Sequence, residues 1–436
     1  MTKNNPNRRS FLKSSALGMG ACLFPGIIPS TVLGRDGAVA PSNKIGIGCV
    51  GMGMMGPGNM GQFLNMDDVQ VVGVADIDKN ALAGGLNQVK GRYGQACQSY
   101  HEYREMFARK DIDAVMLAVP DHWHAIAAID AAKAGLDIYG EKPLSHTFEE
   151  GLAMCKAVER YGRIWQTGSW QRSESNFRIG AELVRNGRIG KLQNVEVGLP
   201  SGYGLFGGSS DTTVMEAPAT LDYDRWLGPA PYMPYSPARV HRVWRWNYDY
   251  GGGQLMDWVG HHVDIAHWGM GMDESGPVEV YGTGDFSETT KVWNAASKYN
   301  VTAKYANGVV LHIADSTQTP MGTKWIGDQG WIYVDRGNVI RSSNSEILKE
   351  TVGAGEIKLY DSKNHWRNFI DCIKTRQATI TPCQTAHRSA TVGHLGLISI
   401  KLGGRKIKFD PVAQKIIGDF TARRMLGTSM RSPWKI

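Results

Sequence analysis

The chain has 436 residues, of which 42% are hydrophobic and 20% are charged, a composition typical of a globular protein with two domains. Four of the 48 basic residues precede Arg35, which leaves 44 basic and 41 acidic residues in the rest of the chain. This near balance gives no basis for a nucleic-acid partner. The six cysteines form no C-x-x-C pair, which excludes the common zinc and dithiol motifs.

The first 40 residues are typical of an export signal. Arg8-Arg9-Ser10-Phe11-Leu12-Lys13 resembles the signal of the twin-arginine route, and the stretch 14–33 that follows is rich in Ala, Gly and Leu. Pro25 and Pro29 interrupt that stretch, which argues against a membrane-spanning helix. We therefore expect a periplasmic or exported protein that meets the twin-arginine translocase. A Sec signal with a chance arginine pair is the alternative, a lipoprotein anchored at Cys22 is disfavoured, and cleavage after Gly34 or Ala40 stays open.

Between residues 41 and 165, short apolar runs alternate with helical patterns. Strands are expected at 44–50, 69–75, 114–119, 137–139 and 164–167, and helices toward Met66, up to Ala134 and over 148–161. Alternation of this kind predicts a doubly wound parallel sheet with helices on both faces, which is a Rossmann domain.

A glycine-rich loop, Gly51-Met52-Gly53-Met54-Met55-Gly56, follows the first of these strands and precedes a helix. In that position a G-x-G-x-x-G loop binds a dinucleotide, because the glycines allow a tight turn and the pyrophosphate rests on the helix N-terminus. We expect contacts from Gly51, Gly53, Met54, Met55 and Gly56.

Acidic and apolar residues at the neighbouring strand ends extend this cofactor site. Asp76 ends the next strand, twenty residues past Gly56, where a carboxylate hydrogen-bonds a ribose 2′-hydroxyl and repels a 2′-phosphate, so NAD is favoured over NADP. Its alternative role is that of a turn residue. Val119 and Pro120 close the third strand at the same edge, and His124 either faces the nicotinamide or caps the following helix.

After Asn176 the pattern changes. One helix runs to Asn186, and strands are expected at 192–197, 278–281, 309–313 and 331–334, which indicates an α+β domain with a large open mixed or antiparallel sheet over 166–436. The stretch 201–253 is rich in Gly, Pro and aromatic residues and is expected to form loops over a site. Helices at 365–374 and 385–402 follow, and these could pack back on the first domain.

Two further motifs carry a resemblance to a known family. Glu141-Lys142-Pro143 after a strand is similar to the E-K-P motif of the Gfo/Idh/MocA oxidoreductases, and 251–264 resembles their G-G-G-x-L-x-D-x-x-x-H-x-x-D signature. With the glycine loop, Asp76 and the D-H-W-H segment at 121–124, the resemblance runs from about residue 44 to the final helices. It implies a Rossmann domain, a C-terminal α/β domain with an open sheet, a homo-oligomer, and oxidation or reduction of secondary alcohols in sugars, cyclitols and polyols.

The residues in these motifs suit that chemistry. Oxidising a secondary alcohol needs a base for the hydroxyl proton and a nicotinamide for the hydride. Asp257 and His261 are four residues apart, so a helix would present them on one face. We expect His261 to take the proton, Asp257 to bind a hydroxyl or orient the imidazole, and Lys142 to stabilise the alkoxide or relay the proton. A metal held by Asp257, His261 and Asp264 is the disfavoured alternative, and no resident metal is expected.

Several other residues are expected near the reactants. Glu141, Lys142 and Gln171 are assigned to the cofactor. The run 239–250 is rich in Trp, Tyr and Arg, which stack on sugar rings and donate to hydroxyls, although a packed loop would look similar. The candidate substrate contacts are Arg172, Trp244, Arg245, Tyr250 and His262, the last also readable as a core residue.

Three functions follow. Because soluble nicotinamide pools are cytoplasmic, an exported enzyme would hold NAD tightly while it oxidises or reduces a sugar, glycoside or polyol. The resemblance also implies a second possibility, a glycosidase or lyase that oxidises C3 transiently, eliminates the aglycone and returns the hydride. The third is a non-catalytic carbohydrate binder, which the intact set of Lys142, Asp257 and His261 argues against.

Overall fold

Residues 43–436 are described by the computed structural model, and within them two β-sheets organise the chain. The predicted export signal lies outside the described residues. Residues 45–436 group as one unit.

The first sheet has six strands within the described residues, all parallel, in the order β3-β2-β1-β4-β5-β6. They are β1 (Ile45–Val50), β2 (Val69–Ala75), β3 (Gln98–Tyr100), β4 (Ala114–Leu117), β5 (Asp137–Gly140) and β6 (Trp165–Thr167). Every residue of β1 and β4 is buried, as expected for strands covered on both faces.

Five helices connect these strands and cover the sheet. They are α1 (Gly56–Leu64), α2 (Lys79–Tyr93), α3 (Tyr103–Phe107), α4 (Asp121–Lys133) and α5 (Phe148–Arg160). Thr147 and Glu150 form a capping box at the start of α5, which satisfies two N–H groups that the helix leaves free. Strand order reverses between β1 and β4, and this is the point at which open α/β sheets bind ligands, beyond the carboxyl ends of the strands.

The second sheet has nine strands among the described residues, in the order β13-β12-β11-β7-β10-β9-β8-β14-β15. Its β7–β10 pair is parallel and the other pairs are antiparallel. The strands are β7 (Leu192–Leu199), β8 (Glu279–Asp285), β9 (Lys298–Lys304), β10 (Val310–Asp315), β11 (Gly322–Gly327), β12 (Trp331–Asp335), β13 (Val339–Ser342), β14 (Ile407–Asp410) and β15 (Lys415–Ile416). Together the two sheets confirm the fold class expected from the sequence.

Seven further helices complete the described chain. They are α6 (Ser175–Arg185), α7 (Tyr223–Leu227), α8 (Gly253–Trp258), α9 (Asp264–Met270), α10 (His365–Thr375), α11 (Cys383–Lys401) and α12 (Phe420–Arg423), with a π-helical turn over Val259–Val263 between α8 and α9. Phe369 and Ile370 of α10 pack with Ile47 and Phe63 of the first sheet's core. None of the helices between residues 43 and 436 combines the length and apolarity that a membrane crossing needs.

Candidate active site

The glycine loop joins β1 to α1 at the carboxyl edge of the first sheet. Gly51 has a φ of +86°, which glycine adopts without strain. A Cβ on Gly56 would lie 1.8 Å from the Gly51 carbonyl oxygen, whereas a Cβ on Gly53 would meet no atom within 4 Å. Gly56 is therefore required for the local fold, while Gly53 leaves open space beside the backbone.

Asp76 fixes the shape of this loop. One carboxylate oxygen accepts a 2.6 Å hydrogen bond from the Met52 N–H and the other a 2.8 Å bond from the Asp78 N–H. Burial raises the pKa of Asp76, while these two N–H donors act to lower it. The carboxylate thus links the end of β2 to the loop and still lines the cavity next to it.

A cavity of about 660 Å³ extends along this edge, a size usual for small-molecule and cofactor sites. Eleven of the residues proposed from the sequence line it: Gly51, Gly53, Met54, Met55, Asp76, Val119, Pro120, Glu141, Lys142, Trp244 and Arg245. Residues separated by almost two hundred positions in the sequence therefore share one cavity.

A cover segment, residues 205–245, forms the opposite wall. It is bound to the end of β2, because the Lys79 N–H donates to the Thr220 carbonyl at 2.9 Å and the Asp222 N–H donates to the Ile77 carbonyl at 3.2 Å. The Asp222 carboxylate also lies 2.8 Å from His101 Nε2. The loops expected over a site at 201–253 thus adjoin the position where a ribose would lie against Asp76.

The C-terminal residues add a further part of the wall. Trp434 lines the cavity, its ring centroid lies 4.8 Å from that of Trp123, and Arg104 lies 5.4 Å from its ring. The Arg431 side chain fixes this tail by donating to the Gly228 carbonyl at 2.9 Å. The position of Trp434 could not be expected from the sequence, since no local motif surrounds it.

Glu141 anchors the turn that follows β5. Its carboxylate accepts a 2.7 Å hydrogen bond from Asn59 on α1 and a 3.3 Å bond from the Lys142 N–H. Burial raises the pKa of Glu141, although the Lys142 charge and the Asn59 hydrogen bond act to lower it. The turn that carries Lys142 is thereby tied to the helix that begins at the glycine loop.

Lys142, Asp257 and Arg245 form an ion cluster at the inner end of the cavity. Lys142 Nζ lies 3.0 Å from Asp257 Oδ1 and donates to the Asp257 carbonyl at 2.9 Å, while Arg245 Nε donates to the same Oδ1 at 3.0 Å. Burial acts to raise the pKa of Asp257, but the charges of Lys142 and Arg245 outweigh it and hold the pKa below its usual value. Asp257 therefore carries a negative charge between two cations.

His261 lies beside this cluster, on the π-helical turn. A Cβ on Gly260 would come within 2.8 Å of Lys142 Cβ, so glycine allows the turn to approach Lys142 closely. Burial, with the positive charges of Lys142 and Arg336, lowers the pKa of His261 well below its usual value. His261 Nδ1 is buried without a hydrogen-bond partner among the described residues, so a neutral imidazole adjoins the Lys142 ammonium.

The continuous helix expected through Asp257 and His261 is corrected by this turn. Residues Val259–Val263 are π-helical, so the segment that carries Asp257 and His261 is not one regular α-helix. A π-turn of this kind often occurs at functional sites. Both residues lie next to Lys142, Asp257 through the ion pair at 3.0 Å and His261 through the close approach of its turn to the Lys142 side chain.

Two residues assigned to the cofactor lie in bracing positions. His124 is 4% exposed, and its ring nitrogens lie 2.7 Å from the Pro143 carbonyl and 2.9 Å from the Val119 carbonyl. Gln171 is 1% exposed and its amide lies 3.2 Å from His262 Nδ1. Neither side chain lines the cavity. The ring nitrogens of His124 contact backbone carbonyls, and the amide of Gln171 contacts neighbouring side chains.

Three residues assigned to the substrate are also held elsewhere. Arg172 is 2% exposed and donates to both Asp264 and Asp273 at 2.7–3.0 Å. Tyr250 is fully buried against Trp226, and His262 is fully buried and stacked on Trp258 at 5.6 Å. The structure thus corrects their expected position: they pack beneath the site, where their burial leaves no surface for a ligand.

Four residues that sequence analysis did not assign adjoin the site. Asp121, at the start of α4, lines the cavity, and burial raises its pKa well above the usual value although the Arg245 charge opposes this. Trp170, Trp258 and Arg336 surround His261. The D-H-W-H resemblance could have indicated Asp121, but nothing local distinguishes the other three.

A metal site finds no support in these side chains. Among residues 43–436 no three or more His, Cys, Asp and Glu side chains are grouped in a way that could hold a metal ion. Asp264, a member of the alternative ligand set, is instead bound by Arg172.

Two family models match almost the whole described chain. Residues 45–169 match the model described as an oxidoreductase family, NAD-binding Rossmann fold. Residues 176–436 match the model of the oxidoreductase family, C-terminal alpha/beta domain.

Curated relatives include dehydrogenases and glycosidases. Myo-inositol 2-dehydrogenase of Thermotoga maritima is 22% identical over 364 residues, which cover 82% of this chain and 93% of the relative. Glycosyl hydrolase family 109 protein 2 of Shewanella sp. is 30% identical over 210 residues, covering 44% of this chain. The matched part spans about half, 45%, of that relative's length.

Solved structures share the fold at low sequence identity. The WlbA dehydrogenase from Bordetella pertussis, in complex with NADH and UDP-GlcNAcA, superimposes with a TM-score of 0.63 at 19% identity over 84% of this chain and 98% of that one. The aldose-aldose oxidoreductase from Caulobacter crescentus, complexed with glycerol, gives 0.61 at 18% identity, covering 84% and 100%.

Proposed function

We propose, from the premise that this chain belongs to the Gfo/Idh/MocA oxidoreductase family, that it oxidises or reduces a secondary hydroxyl of a sugar, glycoside or polyol with NAD that it holds between turnovers. The observation that carries the proposal is the Lys142–Asp257 ion pair at 3.0 Å, in which Lys142 lines the glycine-loop cavity and the turn that carries the neutral His261 packs against Lys142. This combination offers a base and a cation beside a cofactor site.

The residues around the cavity fit NAD. Gly53 leaves the space that a pyrophosphate needs beside the backbone, since a Cβ there would meet nothing within 4 Å. Asp76 accepts two backbone hydrogen bonds and keeps lone pairs for a ribose 2′-hydroxyl, whereas a 2′-phosphate would meet its negative charge. This arrangement supports NAD over NADP.

Each side chain at this site has a separate role in the reaction. When bound, NAD supplies the hydride acceptor. His261 is neutral and takes the hydroxyl proton, because burial and nearby cations lower its pKa. The Lys142 ammonium stabilises the oxygen that loses this proton. Asp257 holds Lys142 in position and balances its charge.

Retention of the nucleotide rests on the cover segment and the C-terminal tail. The cover segment is bound to the end of β2 by Lys79–Thr220 and Ile77–Asp222 backbone hydrogen bonds, and Trp434 adds an aromatic wall. A cofactor enclosed in this way dissociates only when these contacts open, which lowers its rate of loss.

The test is to release the nucleotide from purified protein with acid and to identify it. We expect close to one NAD per chain and little NADP. Addition of a substrate should reduce the bound nicotinamide, which absorbance measures, and His261→Asn should keep the nucleotide but lose the reduction. Protein that contains no nicotinamide and takes up none on titration would refute the proposal.

A second candidate function is redox-neutral cleavage of a glycoside. It is favoured by the similarity to proteins named glycosyl hydrolase family 109. In this reaction the C3 hydroxyl is oxidised, the C2 proton leaves with the aglycone from C1, water adds, and the hydride returns to C3. Deuterium from solvent at C2 of the product supports cleavage, and net reduction of the bound nicotinamide without aglycone release supports the dehydrogenase.

We also propose export through the twin-arginine route, which Arg8 and Arg9 support, and assembly as a homo-oligomer, which the family resemblance implies. Fusion of residues 1–45 to a reporter that is active only after export as a folded protein tests the first proposal, with Arg8→Lys and Arg9→Lys together as the control. Light scattering of the purified protein tests the second.

A further inference from the structure

Arg336 occupies an unusual position beside the catalytic histidine. We propose that it binds the carboxylate of an acidic sugar, so that the substrates are uronic acids or their glycosides. This inference rests on the proposed function, because it names the substrate class for the same site.

The guanidinium of Arg336 lies against two indole rings. It follows β12, and its Cζ lies 4.6 Å from the centre of the Trp170 ring and 4.3 Å from that of Trp258. Its Nε and Nη2 both lie 3.2 Å from the Gln171 amide oxygen and donate to it. Two indole rings and the Gln171 oxygen thus contact the planar cation and hold it in place before any ligand arrives.

The same indole rings bring Arg336 to the reaction centre. Their centroids lie 5.3 Å (Trp258) and 6.0 Å (Trp170) from that of the His261 ring. The Arg336 charge contributes to lowering the pKa of His261, after burial and Lys142. A sugar whose hydroxyl contacts His261 would thus lie within reach of Arg336.

The charge of Arg336 has no ion-pair partner within 4.0 Å among residues 43–436. Glu174 and Asp335 are near enough to stabilise it, but the Asp335 carboxylate accepts instead from the Arg336 backbone N–H at 2.7 Å. Arg172, in contrast, is paired with two aspartates. Since a half-buried cation without a partner is costly, an anionic ligand would complete this site.

The shape of the free edge indicates which anion. With the Nε side bound to Gln171, the Nη1–Nη2 edge remains, and this edge forms two parallel hydrogen bonds to a carboxylate. A planar carboxylate on the substrate therefore matches this edge better than a neutral hydroxymethyl group, which has neither a negative charge nor a second oxygen to accept the parallel hydrogen bond.

The experiment compares matched sugars that differ at C6. Purified protein that carries its nucleotide is titrated by calorimetry with the methyl β-glycoside and the methyl β-uronide of D-glucose, D-galactose and D-mannose. We expect at least one uronide to bind ten-fold or more tightly than its neutral partner. Arg336→Gln should remove this preference by weakening the binding of that uronide at least ten-fold.

Two further variants separate binding from folding. Arg341→Gln, an exposed arginine on β13, should keep the preference. Arg336→Lys keeps the charge but loses the paired hydrogen bonds, so it should keep only part of the preference for the uronide. This variant tests the inference even if Arg336→Gln does not fold. The inference is overturned if no uronide exceeds its neutral partner, or if Arg336→Lys changes both members of a pair equally. Reduction of the bound nicotinamide by the neutral glycosides would then leave the proposed function standing.

Discussion

Gly53 separates the fold of the glycine loop from its binding function. A Cβ at this position meets no atom of the protein within 4 Å, but it would enter the space proposed for the pyrophosphate. We expect Gly53→Ala to unfold at the same denaturant concentration as the parent and to lose NAD at least ten-fold more readily. Equilibrium dialysis with NAD measures the second effect.

Gly58 provides the matched control for that substitution. It lies on α1, and a Cβ there also meets nothing within 4 Å. Gly58→Ala should stabilise the protein by about 0.5–1 kcal/mol, because alanine favours the helix, and should leave NAD binding unchanged. Equal NAD affinity in the two variants would contradict the proposed pyrophosphate position.

His261 should determine the acid limit of the reaction. Its pKa is lowered, first by burial and then by Lys142 and Arg336, so the neutral form that accepts a proton persists below pH 6.5. We expect kcat/KM to stay level from pH 8 down to 6.5 and to fall only in more acidic solution, since this profile reports the free enzyme. A half-maximal value at or above pH 6.5 would argue against His261 as the base.

Arg172 illustrates the difference between a buried ion pair and a ligand contact. It binds Asp264 and Asp273 and is 2% exposed. Arg172→Ala leaves two carboxylates without their cation, so the free energy of unfolding should fall by about 3–5 kcal/mol. Urea denaturation measures the loss. Arg405→Ala, at an exposed pair with Asp419, should cost at most about 1 kcal/mol.

At the level of elements, short segments decide how the site is closed. The π-turn at Val259–Val263 brings His261 to Lys142, and the cover segment reaches the end of β2 through backbone hydrogen bonds. Both are irregular, and neither contributes a strand to either sheet.

The C-terminal tail is the most direct test of nucleotide retention. Trp434 lines the cavity and packs on Trp123. We expect Trp434→Ala to keep the fold and to raise the rate at which bound NAD is lost by about ten-fold, because stacking of one aromatic ring is worth roughly 1–3 kcal/mol. Rapid gel filtration followed by acid release measures this rate. Ile436→Ala, at a residue that does not line the cavity, should behave as the parent.

For the whole molecule, buried histidines make stability depend on acid. Burial lowers the pKa to about 3 or 4 in seven of them: His122, His146, His262, His267, His365, His387 and His394. Below pH 6.5 these histidines bind protons in the unfolded chain but stay neutral in the folded chain. Their contribution to the free energy of unfolding is therefore complete above pH 6.5 and is lost as the pH falls toward 3. Buried acids such as Glu150, whose pKa burial raises to about 8, act in the opposite direction.

A single substitution measures how much one of these histidines contributes to the pH dependence of stability. His394 is 4% exposed and its Nε2 has no partner among the described residues. His394→Gln should therefore lose roughly 2 kcal/mol less stability than the parent between pH 7 and pH 5, as denaturant titrations at the two pH values would show. An equal loss in both proteins would contradict a lowered pKa, and His312→Gln, at an exposed position, is the control.

Much of the architecture could be predicted from the sequence. Val69–Ala75 is a strand with the expected bounds, and β1, α5 and α11 agree within about two residues at either end, while α4 ends as expected but already begins at Asp121. Strands β3, β9, β11, β13, β14 and β15 were not predicted. Their residues alternate between buried and exposed, or carry polar side chains on an open face, so the apolar runs that mark a parallel strand are missing.

Local sequence was sufficient to predict the features that depend on near neighbours: the glycine loop, the carboxylate at Asp76, and the motifs that carry Lys142, Asp257 and His261. These follow from backbone geometry and spacing, which a few residues set. Only the folded chain shows which arginine has an ion-pair partner and which has none, because Arg172 lies against two aspartates and Arg336 against two indoles. Such partners lie far apart in the chain, and only packing brings them together.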